Sequence, residues 1–165
     1  MAISSFVKVI SEKRRKKIVS QLKYGAFGSY LIRRYFNSYK DIVVIGSDTN
    51  WRVYSAWLSY LRDNNCFQNE SSPLANKLAD IIEFIDLFLP FEETEDVLQK
   101  LEKLGRKDPN YLDCLTRYYR KEGKEDYAIE VSIAEEFYYG FIDDFKNLLE
   151  GSVKNRNSIV IWTPV

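Results

Sequence analysis

At 165 residues, with 45% of its side chains apolar and 15% aromatic, the chain can bury the core of one ordinary domain without a disulfide scaffold. It contains no histidine, which excludes Ser-His-Asp and Cys-His triads, HExxH metalloprotease sites and Cys/His zinc fingers outright. The formal charge is zero but unevenly spread: residues 1–40 hold ten Lys and Arg against the single acid Glu12, a local +9 that the remainder offsets.

Residues 3–22 are spaced for a helix capped by Ser4 or Ser5, with Phe6, Val9, Ile10, Ile18, Val19 and Leu22 on one side. The run Lys13-Arg14-Arg15-Lys16-Lys17 points all round such a helix, so its midsection must be solvated or must meet acidic groups. Gly25 and Gly28 interrupt the pattern before a second helix over 29–39, rich in aromatics at Tyr30, Tyr35, Phe36 and Tyr39. Residues 42–45, Ile-Val-Val-Ile, are the best strand candidate of the first half. Ser47 to Asn50 then offer caps for a helix from Trp51 to about Arg62, with Val53, Tyr54, Trp57, Leu58 and Leu61 on its inner side.

Ser72-Pro73 pairs a cap with a proline suited to the first helical position. The spacing of Leu74, Leu78, Ile81, Ile82, Ile85, Phe88 and Leu89 predicts one buried helix running to Pro90. Thr94 is placed to cap a helix over 95–104 closed by Gly105, and Asp108-Pro109 opens another that stops at Gly123. The last helix, 125–150, is the longest: Ile129, Ile133, Phe137, Phe141, Phe145 and Leu149 form a stripe at four-residue spacing before Gly151 ends it. Residues 158–162 read as a terminal strand and as a partner for 42–45. The expected fold is mainly α, a single helical domain over residues 1–165 with six to seven helices and at most a small two-stranded β element from 42–45 and 158–162.

The most apolar stretch, Ile81 to Phe91, is interrupted by Glu83 and Asp86 and is far shorter than the ~20 residues that span a bilayer. The N-terminal cations follow apolar residues instead of preceding them, unlike a secretory leader, and Cys66 and Cys114 form no CxxC pair. A reduced, cytoplasmic setting away from membranes is expected.

Few constellations can carry chemistry. Asp80, Glu83 and Asp86 lie at helical spacing, where carboxylates ordinarily form a solvated face. Asp113 with Glu122-Gly123-Lys124 spells a nuclease-like D…ExK, but the ExK falls at a helix end and contains a breaker. Gly46 is one glycine where a phosphate-binding turn needs several. Neither a cofactor nor a metal is expected.

Two surfaces remain. On the last helix Glu136, Asp143 and Glu150 are seven apart and Glu135, Tyr139 and Asp143 four apart, away from the phenylalanine stripe. Carboxylates around a tyrosine suit capture of a basic protein, the aromatic anchoring and the charges steering. In the basic region, Lys13, Arg14, Arg15, Lys16, Lys17, Arg33 and Arg34 interleave with Tyr24, Tyr30, Tyr35 and Tyr39, a mixture that grips nucleic acid by phosphate neutralisation and base stacking. The bland reading is that these arginines pair with the acidic half while the tyrosines pack inside.

The first expectation is a small intracellular macromolecule-binding protein without catalytic activity. It would be an inhibitor or immunity-type neutralising partner of a basic protein, of the kind bacteria and phages encode, acting through the acidic, aromatic helix face. A nucleic-acid-binding module using the basic N-terminal helices is the alternative. An enzyme built on Asp80, Glu83, Asp113 and Glu122 comes third.

Overall fold

The computed structural model describes residues 4–45, 51–67, 73–104, 111–133 and 135–163. The caps expected at Ser47 to Asn50, the Gly46 turn, and Ser72, Gly105 and Asp108-Pro109 lie outside the described residues, as do the side chains of Val53, Asp113, Cys114, Ile133, Glu135, Glu136, Phe137 and Tyr139.

The protein is mostly helical, as its composition and periodicity lead one to expect, but its β part is larger than two strands. Four strands, β1 (Phe6–Ile10), β2 (Ile42–Val43), β3 (Ile85–Leu89) and β4 (Ser158–Trp162), form one antiparallel sheet in the order β2-β1-β4-β3. Residues 42–43 and 158–162 therefore share a sheet without pairing, because β1 lies between them, with Val7 opposite Val43 on one side and Ile161 on the other.

Two of those strands correct the helical reading. Phe6-Val7-Lys8-Val9-Ile10 is β1, and the helix begins only after Ser11, whose side chain accepts from the Arg14 N–H, giving α1 (Glu12–Gln21). The helix opened by Pro73 stops early as α4 (Pro73–Ala79). A turn with Phe84 at φ 56° then leads into β3. Each strand is a five-residue run, apolar but for one charged residue (Lys8 in β1, Asp86 in β3), and at that length three- and four-residue spacings arise in a strand covered on both faces just as they do in a helix.

Between and after these lie a 3-10 turn (Leu22–Tyr24), α2 (Gly25–Phe36) and α3 (Trp51–Asp63). Further on come α5 (Phe91–Leu104), α6 (Tyr111–Lys121), α7 (Glu125–Ile133) and α8 (Glu135–Asn155). α5 starts at Phe91, so Thr94 is not its cap but sits buried in its first turn, donating back to the Phe91 carbonyl. α6 ends where Gly123 takes φ 71°, as read from sequence, while α8 runs through Gly151 to Asn155.

Helices cover both faces of the sheet. Ile159 and Ile161 of β4, with Leu87, Leu89 and Val7, face one core, which α3, α5 and α8 fill with Trp57, Leu58, Leu61, Val97, Phe141, Phe145 and Leu149. Trp57 stands edge-on to Phe141 at 4.4 Å and to Phe145 at 4.8 Å. Val160, Trp162, Phe88 and Ile10 alternate to the opposite side, where α1, α2 and α4 contribute Ile18, Ile32, Phe36, Ala75 and Leu78. Cys66 is a free thiol buried in the first core, and burial pushes it up to about 11.

Candidate nucleic-acid interface

α1 and α2 form a hairpin held over the second core by Ile18, Ile32 and Phe36. Its outer surface carries the basic run, and the structure divides those cations into two sets. Arg15 donates from Nη1 to both oxygens of Glu92 at 2.8 Å, and its guanidinium lies over the Phe91 ring, which Arg156 also faces at 4.6 Å. Arg33 donates from Nε to the Ile81 carbonyl, and Arg14 lies 4.6 Å above the Tyr35 ring and 3.9 Å from Asp41. These three arginines tie the hairpin to the rest of the fold.

The second set faces solvent. Lys13, Lys16, Lys17, Lys23 and Arg34 are exposed, and of these only Lys16 has an ion-pair partner among the described residues, Glu12 at 3.9 Å. Their aromatic neighbours do not pack inside. Of the neighbouring tyrosines only Tyr35 is buried, its hydroxyl donating to Asp41 Oδ2 at 2.8 Å, whereas Phe27 is 65%, Tyr24 64%, Tyr30 57% and Tyr39 88% exposed. Phe27, Tyr30 and Arg34 share one face of α2 by their three- and four-residue spacing.

The turn after α2 is fixed from below by Lys8, a fully buried lysine on β1. Its Nζ donates to the carbonyls of Tyr35 (3.0 Å), Ser38 (2.7 Å) and Lys40 (2.6 Å), so all three N–H donors are used at the carbonyl end of α2, where a cation is electrostatically favoured. The Tyr35 ring lies 4.5 Å and the Trp162 ring 5.4 Å from the same nitrogen. Burial pushes the ammonium down to about 8, with the Asp41 carboxylate opposing the shift and Arg14 adding to it, so the group still carries its proton near neutrality. No sequence pattern distinguished Lys8 from the surface lysines. Its one signal is a lone charge in the apolar run Phe6 to Ile10.

The other sequence-derived sites are less developed. On α8 the backbone of Glu135, Glu136 and Tyr139 is helical but their side chains are outside the described residues. Asp143 is half-buried and Glu150 exposed. Asp80, Glu83 and Glu122 are exposed. Asp86 instead sits at a register shift of β3, where it accepts from the Thr163 hydroxyl at 2.9 Å, and Thr163 shares a hydrogen bond with Ser5. Burial pushes the Asp86 carboxyl up, against the hydrogen bond from Thr163 and the charge of Arg62. Among the described residues no three Cys, Asp or Glu side chains gather as metal ligands, and no helix is long and apolar enough to cross a membrane.

Comparison of the chain with protein-family models, with curated proteins and with solved structures returns no match, so any functional reading rests on this geometry.

Proposed function

We propose that this protein is a macromolecule-binding module that holds single-stranded nucleic acid across the outer surface of α1 and α2. The observation that supports this over capture of a basic protein is the exposure of Tyr24, Phe27 and Tyr30 beside cations with no internal partner. Aromatic rings left in water offer stacking planes for unpaired bases, and lysines beside them neutralise phosphates. The ten residues of α1 extend about 15 Å at 1.5 Å per residue, room for roughly four phosphates at the 3.4 Å strand spacing.

A neutral total charge does not oppose this reading. Most acidic side chains lie on the helices of the other sheet face, and at physiological ionic strength fields fade over about 8 Å, so a strand approaching α1 meets the local cations first.

The test is binding of a labelled, unstructured oligonucleotide as salt is raised. With about four phosphates neutralised, affinity falls about fifty-fold between 50 and 200 mM salt. The Lys13→Glu, Lys17→Glu, Arg34→Glu triple variant, changed only at exposed positions, flattens that dependence and weakens binding more than tenfold. Phe27→Ala and Tyr30→Ala each lose about 1–3 kcal/mol if a base stacks there. No binding at 50 mM salt, or unchanged binding by the triple variant, overturns the proposal.

A further inference from the structure

Where the start of α1 meets the turn after α2, the surface dips into a cup of about 470 Å³ lined by Ser11, Lys13, Arg14, Lys17, Lys40 and Asp41. We infer that this cup binds a phosphomonoester, and that in the nucleic-acid reading above, on which the choice of oligonucleotide rests, it seats the terminal phosphate of the strand.

Four cations line the cup against one carboxylate, and that carboxylate is already engaged. Asp41 accepts from the Tyr35 hydroxyl and stands 3.9 Å from Arg14 Nε. It is best understood as a brace for Arg14, whose guanidinium is stacked on Tyr35 and only 17% exposed. Yet among the described residues no acceptor takes a hydrogen bond from any of the five N–H donors of that guanidinium. A largely buried, rigidly held guanidinium with free donors at the wall of a cationic cavity is an arrangement that an oxyanion completes, since Arg pairs with phosphate oxygens in a bidentate manner.

The rest of the wall is equally fixed. Lys40 rides on the turn whose Ser38 and Lys40 carbonyls are held by Lys8, and the buried Lys8 ammonium adds positive potential beneath the cup. Charge selects the ligand. A phosphodiester brings one negative charge, whereas a monoester near neutral pH brings about 1.5 to 2 and three strong acceptor oxygens. The monoester better matches four cations and one engaged acid.

Four probes test this: inorganic phosphate and a nucleoside monophosphate, each followed by amide shifts of the labelled protein, and one oligonucleotide sequence bearing either a 5′-phosphate or a 5′-hydroxyl. Inorganic phosphate should move amides of residues 11–17 and 38–41, and the 5′-phosphate should tighten binding about tenfold. Arg14→Gln should bring the affinities of the 5′-phosphate and 5′-hydroxyl strands together. Lys40→Gln, an exposed position that cannot threaten folding, should cut the advantage at least threefold. If inorganic phosphate and a nucleoside monophosphate bind at the cup but neither strand binds, the phosphomonoester site stands with a small-molecule source and the nucleic-acid reading falls. Equal affinity for both strands, with no shifts from inorganic phosphate at 11–17 and 38–41, overturns the inference.

Discussion

Lys8 sets the shape of the basic surface although no ligand reaches it. Its three hydrogen bonds replace the water that would otherwise satisfy the carbonyls of Tyr35, Ser38 and Lys40, and so hold Asp41 at φ 60° beneath Arg14. Lys8→Met keeps the stem volume and removes the donors. It should cost about 1–3 kcal/mol at neutral pH, seen as a lower urea midpoint, because the part-buried carbonyls of Ser38 and Lys40 lose their donor, while that of Tyr35 keeps the Ser38 N–H and hydroxyl. The pH dependence has a definite sign. The folded-state value near 8 lies below the unfolded 10.5, so between those limits the unfolded chain holds the proton and folding releases it. The stability of the wild type relative to Lys8→Met therefore grows as pH rises through that window and is constant below it. Tyr35, which burial and the Asp41 hydrogen bond push upward, acts oppositely at higher pH in both proteins. A difference that stays flat from pH 8 to 10.5 would show that Lys8 is not held as described.

The α1–α2 hairpin depends on a glycine for a reason of space. A Cβ on buried Gly28 would stand 1.7 Å from the Gln21 carbonyl oxygen and 3.3 Å from Tyr24 Cβ, so α2 can cross the end of α1 only if that position has no side chain. Gly28→Ala should destabilise by about 1–3 kcal/mol as the backbone shifts. Gly151, inside α8 with nothing within 4 Å of its would-be Cβ, should respond oppositely, Gly151→Ala gaining about 0.5–1 kcal/mol. Thermal melts of the two variants give the comparison. Sequence periodicity located the elements whose burial is one-sided and long: α3, the stop of α6 at Gly123, and the Phe141, Phe145, Leu149 stripe of α8. It misread Phe6 to Ile10 and Ile85 to Leu89 because both faces of the sheet are covered. Nor could it foresee that a strand from residues 6–10 would separate 42–43 from 158–162, since pairing order is a long-range property.

As a whole, the molecule is a sheet with different chemistry on its two sides. The +9 of residues 1–40 gathers on the α1–α2 side, while acidic α5 and α8 pack on the other core, bridged at one edge by the Arg15–Glu92 pair. The sequence showed which residues were cationic and aromatic, but not how each is placed: Arg14 stacks on Tyr35, Arg15 pairs with Glu92, Arg33 reaches the Ile81 carbonyl from an exposed position, and Tyr24, Tyr30 and Tyr39 turn out. That division comes from tertiary contacts with Glu92, Ile81 and Asp41, none of which local spacing encodes. An amide-resolved titration of the labelled protein with a single-stranded oligonucleotide at low salt discriminates the two sides directly. Binding through the basic hairpin shifts resonances across 11–41 and leaves those of α8 in place. An absence of shifts, or shifts confined to residues 143–150, would contradict it.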